Sequence, residues 1–62
     1  MKEFDVEAAK AGYPVCDIEG TPVRVAHYDT QNNMYHIMYM NHNRGSWATG
    51  KDLRMLTGNS RR

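Results

Sequence analysis

Phe4-Asp5-Val6-Glu7-Ala8-Ala9-Lys10-Ala11-Gly12-Tyr13-Pro14-Val15-Cys16, followed by Gly20-Thr21-Pro22-Val23-Arg24-Val25, is the stretch that decides the fold. Asp5 is suited to cap a helix, because its carboxylate can accept from the N–H groups of the first turn. Glu7 adds negative charge where the helix dipole favours it. Ala8, Ala9, Lys10 and Ala11 are strong helix formers. Gly12 can take the left-handed conformation that ends a helix, and Pro14 blocks its continuation. The reading is a helix over about Val6 to Ala11. So short a helix is not stable alone, so it must dock, with Phe4 as the anchor, on something apolar.

That something is a sheet. Tyr13 to Asp17 reads as a strand, Asp17-Ile18-Glu19-Gly20 as a hairpin turn with Gly20 at positive φ, and Pro22 to Tyr28 as the next strand. Pro22 stands first in its strand, where a missing N–H is tolerated. Strict alternation places Val23, Val25 and His27 on one face and Arg24, Ala26 and Tyr28 on the other. After the polar loop Asp29 to Asn33, Met34-Tyr35-His36-Ile37-Met38-Tyr39-Met40 is the longest apolar run. Period two separates Tyr35, Ile37 and Tyr39 from Met34, His36, Met38 and Met40. Two largely apolar faces imply a central strand or one at a subunit interface. The methionine side is assigned to the core, with a protein-contact face as the alternative. Asn41 to Gly45 reads as a turn, Ser46 to Thr49 as a short strand and Gly50-Lys51 as another turn. Leu53 to Leu56 reads as a last strand or helical turn. The expected fold is mostly β: a small SH3-like barrel or bent antiparallel sheet of about five strands with a short N-terminal helix. One domain over residues 1–56 and a flexible tail over 57–62 complete the organisation.

A chain of 62 residues is near the lower size at which a core alone can hold a fold. Its one cysteine excludes an internal disulfide, and 40% hydrophobic residues is thin for this size. Self-association into a homo-oligomer is therefore expected. No apolar run approaches the roughly 20 residues of a membrane span, and the acidic N-terminus does not read as a signal peptide. The expected location is the cytoplasm of a bacterial host, without membrane contact. Residues 1–33 carry three Lys or Arg against six acids, a balance of −3, and residues 34–62 carry five against one, a balance of +4. Such asymmetry can mark a surface for anions, although scattered solvated charges would give the same count.

The pattern Phe4, Asp5, Ala9, Lys10, Gly12, Pro14, Val15, Cys16, then Gly20, Pro22, Val23, Arg24, resembles short proteins common in phages, prophages and mobile elements of gut Bacteroidetes-type bacteria. Their closing Asp-Leu-x-Met after a Gly-Lys turn is similar to Gly50-Lys51-Asp52-Leu53-Arg54-Met55. Together these segments cover about half the chain. The relatives carry a longer insertion between the Gly-Lys turn and the Asp-Leu segment, and the Tyr/Met/His strand belongs to this chain alone. The resemblance implies a phage or mobile-element origin and an SH3-like shape, and it supplies no functional residues.

Chemistry-bearing clusters are few. His27, His36, His42 and Cys16 match no zinc spacing, so no metal or other cofactor is expected. No general acid and base stand at usable spacing and Cys16 lacks an evident base, so no catalytic residues are assigned and a non-enzyme is expected. Arg44, Trp47, Lys51 and Arg54, with Tyr28 or Tyr39 nearby, combine stackable rings with cations, as a site for an anionic nucleotide or an acidic protein surface requires. The competing reading makes these rings core and rim. Asn43-Arg44-Gly45-Ser46 could cradle an anion, or be an ordinary turn. The leading functional expectation is a phage-type accessory protein that blocks or sequesters a host-defence component, either a protein effector or an anionic nucleotide signal. A nucleic-acid-binding SH3-like module in transcription or recombination is the alternative.

Overall fold

Local chemistry closes the N-terminal helix at both ends. In the computed structural model, which describes residues 2–56, α1 spans Val6–Lys10. The Asp5 carboxylate accepts from the Glu7 and Ala8 N–H groups at 3.0 and 3.3 Å. Beyond α1, Gly12 has φ +103°, and the N–H groups of Gly12 and Tyr13 donate back to the Ala9 and Ala8 carbonyls at 3.1 Å. This glycine-terminated double bond satisfies carbonyls the helix would otherwise leave open. The tail expected over 57–62 lies outside the described residues.

Six strands follow one another in a single antiparallel sheet: β1 (Lys2–Glu3), β2 (Val15–Asp17), β3 (Pro22–Asp29), β4 (Met34–Tyr39), β5 (Arg44–Thr49) and β6 (Leu53–Met55). The lateral order is β1-β6-β2-β3-β4-β5. From β2 to β5 the chain meanders between neighbours. A 3-10 turn over Gly50–Asp52 then returns it to the far side of β2, where β6 pairs. The molecule is thus the mostly β, barrel-like small fold that the turn spacing implies, with one strand more than expected. Lys2 and Glu3 form that extra strand against Met55 and Arg54. Two residues carry no period, so pairing alone reveals them.

The turns are built from side-chain carboxylates and amides. Asp17 Oδ1 accepts from the N–H groups of Glu19 and Thr21, both at 2.9 Å, while Gly20 takes φ +90°. Asp29 receives the Asn32 backbone N–H at 3.3 Å and the Asn32 amide at 2.9 Å. Asn33 and Asn43 hold positive φ, which asparagine tolerates better than most residues. The Asn33 side chain also reaches across sequence to accept from Gly50 N–H at 3.1 Å, tying the β3–β4 turn to the 3-10 turn.

One irregularity redistributes the faces. The β3–β4 register shifts between Val25 and His27, so Ala26 is an extra, bulged residue. Val25 pairs with Ile37, yet His27 pairs with His36 and Tyr28 with Tyr35. His27 therefore lies with Arg24 on the outer face, and Tyr28 joins Val23 and Val25 on the inner one, reversing the alternation expected for both. The inner face holds the core: Val15, Val23, Tyr35, Ile37, Ala48, Leu53 and Met55, with Ala9 of α1 packed on it. Phe4 packs edge-on to Tyr35 with ring centroids 5.0 Å apart and is half-buried. Met34, His36 and Met38 lie on the opposite face, half-buried, and Met40 is exposed. The methionine side is thus not core. β4 has a strand on each side, β3 and β5, but α1 covers only its Tyr35 side.

Candidate functional site

The residues picked from sequence fall in separate parts of the fold. Lys51 and Arg54 come together. Lys51 sits in the 3-10 turn and Arg54 on β6, and both border a cleft of about 480 Å³ against Phe4, Val6 and Tyr35, with Glu3, Asn33 and Gly50 completing its wall. The cleft exists because the N-terminal arm folds over the end of the sheet where the Asn33–Gly50 bond holds two turns together. Its floor is aromatic and aliphatic, and its rim carries two cations and one acid, Glu3, which pairs opposite Arg54 across β1 and β6. Arg54 Nη1 donates to the Lys51 carbonyl at 2.6 Å and to the Leu53 carbonyl at 2.7 Å, which fixes the guanidinium plane. Its Nη2 and Nε donors make no bond to the described residues, and a planar fork of this kind suits carboxylate or phosphate. The volume is in the range of small-molecule sites.

Arg44 and Tyr39 are directly opposed on β5 and β4 and border another, smaller hollow of about 260 Å³. Here Asp17 and Glu19 stand in the same wall. The Tyr39 hydroxyl donates to Asp17 Oδ2 at 2.9 Å. Burial pushes the Asp17 carboxyl up, but hydrogen bonds from Thr21, Tyr39, Glu19 and Gly20 together hold it below the usual carboxylate range. The same bond to Asp17, then burial, raises the Tyr39 phenol. Arg44 thus shares its hollow with two carboxylates. Because Arg44 to Ser46 lie within β5, the loop cradle considered for Asn43-Arg44-Gly45-Ser46 does not form.

Trp47 is 54% exposed. It borders a hollow of about 330 Å³ with Tyr39, Ile18 and the acidic trio Asp17, Glu19 and Asp52. Its ring lies 5.0 Å from that of His36 and 6.1 Å from that of His27. Tyr28 is elsewhere again: its ring meets Tyr35 edge-on at 6.1 Å, and Lys10 Nζ stands 5.5 Å above it. Burial raises its phenol, and its part is to join α1 to the sheet. Burial, and then the neighbouring Asp17 charge, raise the Cys16 thiol. A completely buried thiol pushed in that direction is poorly suited to nucleophilic attack.

Sequence reasoning missed Glu3, Val6 and Asn33 as cleft residues. The expected docking of Phe4 hinted at the first two, whereas the Asn33–Gly50 contact left no local trace. Comparison with known proteins adds no relative: no family model, curated protein or solved structure matches the chain.

Proposed function

We propose that the chain is a small non-enzymatic binding protein that captures an anionic ligand or an acidic protein segment in the cleft between its N-terminal arm and the 3-10 turn. The observation that carries this reading is the pairing of the Phe4–Tyr35 floor with the Lys51–Arg54 rim in one cleft of about 480 Å³. A ring or apolar side chain would lie on the floor, and phosphate or carboxylate would meet the fixed Arg54 fork. Taken with the resemblance of its opening segment, the role is that of a phage-type accessory protein that blocks or sequesters a host-defence component, working in the host cytoplasm. Self-association belongs to the same reading, because a core of this size without a disulfide gains from burial against a second copy.

Native mass spectrometry of protein purified from infected cells reports both oligomeric state and any retained ligand. Calorimetry with nucleoside mono- and diphosphates and with an acidic peptide then tests the cleft directly. Lys51→Glu, at an exposed position, should abolish such binding while leaving the fold intact, whereas Arg44→Glu should matter little. Binding unaffected by Lys51→Glu would sink the assignment. A steep loss of duplex-DNA binding with salt, in place of nucleotide or peptide binding, would instead favour the nucleic-acid module.

A further inference from the structure

The outward side of β4 carries Met34, His36 and Met38 at alternate positions, with Met40 just past the strand end. Each of these side chains is a thioether or an imidazole. Core packing does not require them, because the core lies on the other face with Tyr35 and Ile37.

Three features of the fold gather part of this stripe together. The bulge at Ala26 turns His27 outward and sets it opposite His36, where strict alternation would have pointed it at the core. Gly45 stands opposite Met38 on β5. A methyl group built on that glycine would lie 3.0 Å from the Met38 sulfur and 3.1 Å from His36 Nε2. The absent side chain leaves a notch that the thioether sulfur and the imidazole nitrogen both border. Trp47, opposite His36, leans across both imidazoles and keeps half of its own surface in solvent.

We propose that His36 and Met38, with His27 as a third donor and the Trp47 ring alongside, bind a soft monovalent metal ion, Cu(I) or Ag(I). Thioether sulfur selects soft ions, and imidazole suits copper as well. Neutral donors match a single positive charge, and low coordination numbers suit a set of two or three. A zinc centre of the usual kind is not available, because no three His, Cys, Asp or Glu among the described residues are placed to hold a metal. The indole face adds attraction for a cation that has shed its water. The ion is bound without change of oxidation state. This site lies on the opposite face of β4 from Tyr35 and the Lys51–Arg54 cleft, so the two proposals stand or fall separately.

The 62-residue chain, titrated with silver nitrate in chloride-free buffer, can be followed by the fluorescence of Trp47, its one tryptophan. Saturable quenching at one equivalent is expected. Met38→Leu removes the sulfur but keeps nearly the same volume. It should weaken binding by roughly tenfold or more, as should His36→Ala, with unchanged circular dichroism. Cys16 is the competing soft ligand, so Cys16→Ala is measured in parallel and should quench like the parent. No quenching in excess Ag(I), or an affinity unchanged by Met38→Leu, overturns the proposal. If Cys16→Ala does not fold, the Met38→Leu comparison decides alone.

Discussion

At the scale of the residue, the most consequential contact is between Asp17 and Tyr39. The carboxylate organises its own turn through the Glu19 and Thr21 N–H groups and is then joined to β4 by the phenol. Hydrogen bonds to the charged form outweigh the cost of burial, so the folded pKa of Asp17 lies below its unfolded value near 3.8. The stability this provides is complete above that value and is lost as the pH falls through the folded pKa. The raised Tyr39 phenol works at the other end: its contribution is complete below about 10 and is lost as the pH rises through its folded pKa. Tyr39→Phe should therefore raise the Asp17 pKa, seen as a shift in its carboxyl-carbon NMR titration. It should also cost about 1 kcal/mol at neutral pH by urea melts. An unmoved Asp17 titration would mean the phenol bond is not maintained in solution.

At the scale of the element, α1 has only five residues, so its existence depends on its cap and its docking. Asp5→Ala removes the acceptor for two N–H groups and should cost about 1 kcal/mol, with Asp5→Ser recovering most of it. Phe4 holds the arm from the other side through Tyr35. Because Phe4 is half-buried, Phe4→Ala should cost about 2 kcal/mol, less than the roughly 3–5 of a fully buried phenylalanine. Denaturant melts of the two variants measure both, and the double variant should be less than additive because cap and anchor serve one short element. β3 makes a different point about elements. Its alternation holds up to Val25 and resumes, inverted, at His27. One inserted residue thereby decides which aromatic side chain reaches the core and which imidazole reaches the outer face.

At the scale of the whole molecule, the fold hangs on the return of β6 to β2. Leu53, fully buried at the start of β6, is the largest side chain removed completely from solvent among the described residues. Leu53→Ala should cost about 3 kcal/mol. Domains of this size rarely have more than about 3–5 kcal/mol to lose, so the variant should be largely unfolded at 25 °C by circular dichroism, or melt far below the parent. A small shift would show that the closing strand contributes less than its burial implies. The charge halves noted in the sequence also resolve at this scale. Lys51 and Arg54 outnumber the one acid of their cleft, Glu3, while Arg44 shares its hollow with two, Asp17 and Glu19.

Features governed by neighbours in sequence were readable without a structure. Asp5 caps, Gly12 and Gly20 take positive φ and Pro22 opens its strand, because each depends on dihedral preference or on a hydrogen bond within four residues. The β-rich, barrel-like class followed from the spacing of those turns. Tertiary structure alone decided the rest. The two-residue β1 forms only because β6 offers it an edge, and the bulge at Ala26 is defined by its partner strand. Asn33 reaches Gly50 across seventeen residues of sequence, and Arg44 shares a hollow with Asp17 and Glu19 only once β2, β4 and β5 belong to one sheet. The physical reason is the same throughout: local free energies are written residue by residue, whereas cross-strand register and cleft composition depend on which distant segments meet when the core closes.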